Sequence, residues 1–228
     1  MTLMLRVKNL SIEEGALIKL ESREIQRGIH FFLGRNGSGK TTLLKFFATV
    51  QNQKASEYSI DNKAIQKLSL SEISQNFSYL PQSLSKNAHL NVLEFLNLLP
   101  QRKTPCPKYK NELLELFQIK ELLSKKTSKI SDGQWKLVQI IRLFLQDAKV
   151  FVLDEPECFL DIINIEKLRM LIESKKSEKI FLISSHNISF VNSFKERKVS
   201  LIHNNSLKAV DEKLREELHG EILRILRP

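Results

Sequence analysis

The eight residues Gly34–Thr41, GRNGSGKT, constrain the fold of this chain more than any other feature. They fit the pattern G-x-x-x-x-G-K-[ST]. They follow the apolar run Ile29–Leu33 and precede an amphipathic stretch that begins at Lys40. Glycines at these spacings let the backbone wrap around phosphate oxygens, which the loop amides and the helix N-terminus then stabilise. The pattern therefore predicts a phosphate-binding loop (P-loop) between a buried strand and a helix.

The side chains of this loop predict an ATP site with Mg²⁺ as cofactor. We expect Lys40 to reach the β- and γ-phosphates, the Thr41 hydroxyl to ligate Mg²⁺, and Thr42 to hold a further phosphate oxygen. The predicted ATP-binding residues are Gly34, Arg35, Asn36, Gly37, Ser38, Gly39, Lys40, Thr41 and Thr42.

A second apolar run, Val150–Leu153, ends in the two carboxylates Asp154 and Glu155. A doubly wound sheet binds ligands at the carboxyl ends of its strands, so these groups are expected near the P-loop. Asp154 is then placed to hold Mg²⁺ through water, and Glu155 to orient or deprotonate the water that attacks the γ-phosphate. Together the two motifs predict Mg²⁺-dependent ATP hydrolysis.

Alternating strands and helices predict an α/β fold of the P-loop NTPase type. Its sheet is expected to be mostly parallel, with an antiparallel β part at the N-terminus. The expected strands are Leu3–Val7, Ala16–Leu20, Ile29–Leu33, Lys149–Leu153, Lys179–Ser184 and Val199–Ile202. The expected helices are Lys40–Thr49, Asp132–Leu145, Ile162–Ser174 and a charged one at Asp211–Leu226.

Residues 83–130 differ from the rest of the chain in their sequence pattern. They lack long β-branched runs and show helical periodicity. Helices are expected at Asn91–Leu99 and Asn111–Leu123, separated by prolines. We interpret the chain as one domain of 1–228. In it, residues 1–82 and 131–228 form the ATP-binding core and residues 83–130 form an inserted helical subdomain.

The composition adds little beyond charge. With 36 Lys+Arg against 26 Asp+Glu the formal net charge is +10. This charge either attracts polyanionic ligands or reflects lysines that only keep the surfaces of helices solvated. The two cysteines, Cys106 and Cys158, have no metal-type spacing and suit a reducing compartment. No apolar run reaches the length of a membrane span, so membrane association is expected to come through a partner.

Six motifs in order make the chain resemble the ATP-binding subunit of an ABC transporter, from about Leu3 to His203. Besides the P-loop and the acidic strand end, four segments carry the resemblance. They are Ser78–Gln82 (Q-loop), Ile130–Gln134 (the LSGGQ signature), Phe159–Asp161 (D-loop) and Ser184–Asn187 (H-loop).

The resemblance implies further site residues and partners. Gln82 joins Thr41 and Asp154 around Mg²⁺, and His186 acts with Glu155 in catalysis by donating to the γ-phosphate. Four residues are implied to act in trans across a head-to-tail dimer that holds two ATPs: Ser131, Gly133, Gln134 and Asp161. The implied partners are a second ATPase subunit, identical or paired, and transmembrane permease subunits. Such a subunit lies in the cytoplasm on the inner face of the membrane.

Three departures from the family pattern stand out. Asp132 replaces the first signature glycine; it is a good helix N-cap, but its charge is expected to repel a partner's γ-phosphate. The Ser-Asp-Gly sequence resembles the signature of iron–siderophore and cobalamin importers. The segment Ser11–Gly15 offers no aromatic residue to stack on adenine, and Glu157–Phe159 replaces small residues before the D-loop.

Two other functions are found in the same superfamily, and the first of them remains an alternative. A soluble ABC ATPase that serves iron–sulfur cluster assembly would carry the same motifs. Chromosome-maintenance ATPases of this superfamily place a long coiled coil between P-loop and signature. Here the gap from Lys40 to Ser131 is 91 residues (131 − 40) without sustained heptads. No nucleic-acid partner is therefore expected.

Overall fold

A computed structural model describes residues 3–12, 18–51, 54–99, 106–203 and 206–210. Its strands are β1 (Met4–Ile12), β2 (Ile18–Gln26), β3 (Gly28–Gly34), β4 (Glu57–Ile60), β5 (Lys63–Ala64), β6 (Phe77–Leu80), β7 (Val150–Asp154), β8 (Ile180–Ser184), β9 (Lys198–His203) and β10 (Ser206–Val210). Its helices are α1 (Lys40–Phe47), α2 (Leu70–Asn76), α3 (Val92–Asn97), α4 (Pro107–Leu116), α5 (Asp132–Leu145), α6 (Ile162–Glu173) and α7 (Ile188–Asn192).

The described strands form one mixed sheet in the order β5-β4-β1-β2-β10-β9-β3-β8-β7-β6. Strands β9, β3, β8, β7 and β6 run parallel to one another, whereas β1, β2, β4 and β5 pair antiparallel. The predicted fold class, with its antiparallel N-terminal part, is confirmed. Because β3, β8 and β7 are neighbours, the segments that follow them meet at one edge of the sheet.

The central strands explain why the sheet is covered on both faces. Strands β7 and β8 are buried along their whole length, as expected for parallel strands packed on two sides. Within β3, Phe31 packs in one core cluster with α5 and Phe32 packs in another with α1, because alternate side chains point to opposite faces. The P-loop therefore leaves the sheet from a strand that is packed on both faces.

The helices of residues 83–130 pack on the same core as the sheet. Helix α3 lies within the predicted 91–99 and begins at a capping box formed by Asn91 and Glu94. Its Phe95 contacts Trp135 of α5 at a ring-centroid distance of 4.6 Å. The boundaries of a separate subdomain at 83 and 130 stay a prediction.

The predicted helix Asn111–Leu123 is wrong in its extent. Helix α4 starts earlier because Pro107 occupies its first turn, where a missing N–H is tolerated. It ends at Leu116 because Gln118 takes a left-handed φ of 55°, and a short 3₁₀ turn follows at Lys120–Leu122. One predicted helix is therefore two shorter elements.

Most other element predictions agree within one or two residues, but the two N-terminal strands are longer than expected. Strand β1 extends to Ile12 and β2 to Gln26, since the two pair along their whole length. Three predictions fall wholly or partly outside the described residues. They are the start of the strand Ala16–Leu20, the part of the adenine-stacking segment that follows Ile12, and the helix Asp211–Leu226. No helix in the described part of the chain is long and apolar enough to cross a bilayer.

Candidate functional site

The P-loop connects β3 to α1 through glycines that no other residue could replace without strain. Gly37 and Gly39 have φ of 77° and 94°, in the left-handed region that favours glycine. A Cβ on Gly34 would lie 2.5 Å from the Ser38 Oγ and 3.0 Å from the Ile202 carbonyl. The predicted loop therefore folds as a tight backbone cradle at the N-terminus of α1.

Lys40 is buried in this cradle and bonded to it. Its ammonium donates to the carbonyl oxygens of Gly34 at 2.8 Å and Arg35 at 3.0 Å. Burial lowers the pKa of Lys40, and the carboxylates of Glu155 and Asp154 partly offset that effect. The carbonyls thus hold a cation at the place where phosphate oxygens are expected to bind.

One cavity of about 920 Å³ joins the P-loop to three later motifs. It is lined by Gly34, Arg35, Asn36, Gly37, Gly39, Lys40, Thr41, Thr42, Gln82, Glu155 and His186. We call it the P-loop cavity. Residues that are 146 positions apart in the sequence (186 − 40) share this wall, since β3, β7 and β8 end at the same edge of the sheet.

Glu155 is the centre of a hydrogen-bond cluster on this wall. Gln82 Nε2 donates to Glu155 Oε2 at 2.8 Å, Cys158 Sγ donates to the same oxygen at 3.4 Å, and His186 Nδ1 lies 3.1 Å from Glu155 Oε1. Burial acts to raise the pKa of Glu155, but His186, Cys158 and Gln82 outweigh it, so that pKa is lowered. Glu155 is therefore an ionised, oriented carboxylate at neutral pH.

Asp154 offers a carboxylate oxygen suited to a metal-bound water. It is 1% exposed, and its Oδ1 accepts a 2.5 Å hydrogen bond from the Ser184 hydroxyl, its cross-strand neighbour. Its Oδ2 is buried and has no hydrogen-bond partner among the described residues. A buried carboxylate oxygen without a donor fits a hydrated Mg²⁺, which supplies the missing partner.

The signature residues Ser131–Gln134 lie away from the P-loop cavity. Ser131, not Asp132, is the N-cap of α5, so our N-cap assignment of Asp132 is wrong: Asp132 is the first helical residue. The Ser131 Oγ accepts from the Gln134 amide at 3.2 Å, and the Gln134 side chain accepts from the Ser131 amide at 3.0 Å. The sequence S-x-x-Q matches this capping box, because the glutamine three residues after the serine can return a bond to the serine amide.

Gln134 and Asp161 line a second, smaller cavity of about 250 Å³ between α5 and α6. Asp161 caps α6 through a 2.8 Å bond from the Asn164 amide. A Cβ on Gly133 would lie 2.8 Å from the Phe159 carbonyl, so the signature and D-loop backbones approach closely here. The four residues predicted to act in trans therefore share one surface and do not reach their own P-loop cavity.

Several residues around the site escaped the sequence interpretation. Lys136 is 2% exposed, and its ammonium donates to the carbonyls of Gln82 at 3.1 Å and Pro81 at 3.4 Å. Glu157 is buried and accepts from the Ser185 hydroxyl, and burial raises its pKa. The sequence shows only that these charged residues lie next to the motifs. It does not indicate their burial, because a lone lysine in a helix is normally solvated.

The sequence profile described as ABC transporter matches residues 22–157. The vitamin B12 import ATP-binding protein BtuD of Vibrio atlanticus is 30% identical over 197 residues, which cover 81% of this chain and 77% of that protein. A probable iron chelatin transport ATP-binding protein of Helicobacter pylori is 31% identical over 203 residues, covering 83% and 80%.

Solved structures share the fold. The structure of an ATP-binding subunit of an ABC transporter superposes with a TM-score of 0.81 at 22% identity, covering 96% of this chain and 99% of that one. A dimeric ATP-binding cassette in a post-hydrolysis state, bound to ADP and Pi, superposes with a TM-score of 0.74 at 19% identity, covering 89% and 96%. By profile, relatives and fold, the chain belongs to the ABC transporter family as an ATP-binding, ATP-hydrolysing subunit.

Proposed function

We propose that two copies of this chain enclose two Mg²⁺-ATP molecules and use their hydrolysis to drive import of a metal chelate through separate membrane subunits. One observation carries the proposal. The P-loop cavity gathers phosphate-binding and water-activating groups, while the signature residues of the same chain lie on a different surface.

That separation supports the head-to-tail dimer. Among the described residues, the lining of the P-loop cavity includes none from the signature helix α5, whereas Ser131 and Asp132 are exposed at the N-terminus of α5. A helix N-terminus attracts an anion such as a γ-phosphate. A second copy rotated by two-fold symmetry supplies that helix to each cavity, and the cassette bound to ADP and Pi is dimeric.

The exposed apolar side chains of the D-loop region support the same interface. Phe159 is 64% exposed, Ile162 82% and Ile163 65%, beside the Asp161 that the family places in trans. Clusters of exposed large hydrophobic residues mark interaction surfaces. A partner P-loop surface would cover them in the ATP-bound dimer.

The residues of the cavity have distinct roles in hydrolysis. The P-loop amides and Lys40 hold the β- and γ-phosphates, and Glu155 accepts a hydrogen bond from the attacking water and removes its proton. Gln82 and His186 hold Glu155 in place from its two oxygens. His186 donates to Glu155 through Nδ1, so donation from Nε2 to the γ-phosphate at the same time requires the imidazolium form.

We assign the Mg²⁺ site to Thr41, Asp154 and Gln82. Thr41 lines the cavity, and the unpartnered Oδ2 of Asp154 can accept from a metal-bound water. Gln82 turns its Nε2 toward Glu155, which leaves its carbonyl oxygen as the metal-facing atom. When bound, Mg²⁺ neutralises the charge that develops on the phosphates.

The substrate class comes from the relatives. They include proteins named for import of vitamin B12 and petrobactin and for transport of iron chelatin, from which we infer a metal chelate as the transported class. The alternative role in iron–sulfur assembly finds no support among them.

We place the membrane subunits against Leu84, Leu93 and Leu98, which are 38%, 40% and 51% exposed around α3. Such a subunit acts at the inner face of the membrane.

Asp132 does not carry an isolated charge, and this leads to a testable prediction. Lys86 binds its carboxylate at 2.7 Å and also donates to the Ile130 carbonyl at 2.8 Å. We expect Lys86→Met to expose the Asp132 charge to the partner's γ-phosphate and to weaken ATP-dependent dimerisation roughly twofold to fivefold, the range of an exposed ion pair. The double variant Lys86→Met/Asp132→Gly should recover wild-type dimerisation by light scattering. An equal loss of dimerisation in the single and the double variant would contradict the claim that Lys86 offsets the charge of Asp132.

Phosphate release by the purified chain, at several protein concentrations, tests the ATPase dimer. We expect the rate per chain to rise with concentration as copies pair, and to fall to background when EDTA removes Mg²⁺. A rate per chain that is independent of concentration, with the light-scattering mass of one chain in ATP, would contradict the ATPase dimer.

Deletion of the gene should abolish uptake of radiolabelled cobalamin or ferric chelate. Unchanged uptake of both would contradict the substrate class.

A further inference from the structure

The turn that follows β7 brings a thiol to the carboxylate of Glu155. The Glu155 carbonyl accepts from the Cys158 amide at 3.2 Å, and Pro156 occupies the second position of this four-residue turn. Glu155 itself has a φ of 46°. The turn folds the chain back so that Cys158 Sγ lies 3.4 Å from Glu155 Oε2.

His186 adds a nitrogen from the neighbouring strand end. Its Nδ1 lies 3.1 Å from Glu155 Oε1, and one ligand atom from each of Glu155, Cys158 and His186 lies within 4.8 Å of the others. Tetrahedral Zn²⁺, with bonds of about 2.0–2.3 Å, separates its ligand atoms by about 3.3–3.6 Å. Small side-chain rotations are enough to close this difference.

From this juxtaposition of sulfur, nitrogen and oxygen ligands, we propose that Glu155, Cys158 and His186 form a site for a thiophilic divalent ion, Zn²⁺, that shuts off ATP hydrolysis. A thiolate, an imidazole and a carboxylate prefer Zn²⁺ over Mg²⁺, which takes oxygen ligands only. Glu155 and His186 line the P-loop cavity, so an ion can enter from it and water can occupy the fourth position.

The surroundings decide how the site is charged. Asp154 and Glu157 add negative charge near it, whereas Lys40 and Lys136 add positive charge. Cys158 is half-buried, and burial together with Glu157 and Glu155 raises the pKa of its thiol to about 12. Zn²⁺ therefore displaces the thiol proton to solvent as the Zn–S bond forms. His186 binds it through Nδ1 only as the neutral tautomer whose proton is on Nε2, so binding strengthens as pH rises.

Inhibition follows from the proposed function, on which this part of the inference rests. A Zn²⁺ ion bound to Glu155 engages the carboxylate that would accept the proton of the attacking water. The bound ion also breaks the hydrogen bond from Cys158 to Glu155. Hydrolysis stops while the P-loop and its bound phosphates stay in place.

Cobalt absorption of the full chain without ATP tests the site, because a thiolate-to-Co²⁺ charge-transfer band reports sulfur ligation. The sequence has only two cysteines, so Cys106→Ser, an exposed position, is a matched control for Cys158→Ser. We expect one Co²⁺ per chain with this band in wild type and Cys106→Ser, displaced by Zn²⁺, and no band in Cys158→Ser. A band that survives Cys158→Ser, or that is absent from wild type, would overturn the site. Thermal unfolding checks that each variant is folded, and Cys158→Ala repeats the test with a second side chain.

Phosphate release then tests inhibition, each variant relative to its own zinc-free rate. Loss of the thiol should raise the Zn²⁺ concentration for half-inhibition at least about tenfold, since even outer-shell changes weaken metal sites by that factor. Equal zinc sensitivity of Cys158→Ser and Cys106→Ser would overturn the inhibitory role. An active ATPase without the cobalt band would refute the metal site alone. The band in a chain without ATPase activity would support the metal site and refute the proposed function.

Discussion

Glu155→Gln is expected to lower phosphate release by about 10²- to 10³-fold, because it removes the proton acceptor for the attacking water and keeps the side-chain shape. Glu155 is 6% exposed and its oxygens are held by Gln82 and His186. A glutamine can keep one of these bonds but carries no negative charge. ATP binding should survive, since the P-loop is untouched.

The same variant should accumulate as an ATP-bound dimer, because the dimer forms but its ATP is not consumed. Gel filtration with light scattering in saturating ATP measures the mass, and a phosphate assay measures the rate. Glu112→Gln, an exposed position on α4, is the control and should behave as wild type. Turnover of Glu155→Gln within threefold of wild type, or a persistent monomer in ATP, would contradict the role of Glu155.

Lys40→Met is the second large effect. Methionine cannot form the charge-assisted bonds to the β- and γ-phosphates. A net loss equal to one such bond, about 1.5–3 kcal/mol, should lower ATP affinity roughly 10- to 100-fold. Turnover should become undetectable. Lys40 is also bonded to the carbonyls of Gly34 and Arg35, so its removal also loosens the cradle.

Calorimetric titration of ATP into the variant checks this affinity. Lys45→Met, in the last turn of the same helix, changes the same kind of side chain outside the P-loop cavity and should bind ATP as wild type does. Affinity of Lys40→Met within twofold of wild type would show that the loop amides alone hold the phosphates.

The conformation of each local motif was predictable because its own residues impose it. The glycines of Gly34–Gly39 demand a tight loop, and the continuous apolar runs of β7 and β8 demand burial on two sides. The helix Asp132–Leu145 matches its predicted bounds because a capping box starts it.

What escaped prediction depends on contacts between distant segments. Lys86 neutralises Asp132 from 46 positions away (132 − 86), and nothing local in either segment indicates that pairing. The ammonium of the buried Lys136 finds its acceptors in the carbonyls of Pro81 and Gln82, more than fifty positions earlier in the chain. The end of α4 follows from a left-handed Gln118, a conformation that residue type alone does not demand.

The central claim is that each ATP site takes its P-loop from one copy and its signature from the other. Ser131→Asp tests the signature half, because aspartate keeps the helix cap and adds a charge that repels a partner's γ-phosphate. Lys40→Met disables the P-loop half. Each variant alone should be inactive, since every dimer then contains two defective sites.

The decisive measurement is phosphate release by an equimolar mixture of Lys40→Met and Ser131→Asp. In a mixed dimer one site carries both lesions and the other carries neither, so random pairing leaves about a quarter of all sites intact. We predict that mixing restores up to about a quarter of wild-type activity, whereas each variant alone stays at background. A mixture no more active than its separate components would contradict the shared site.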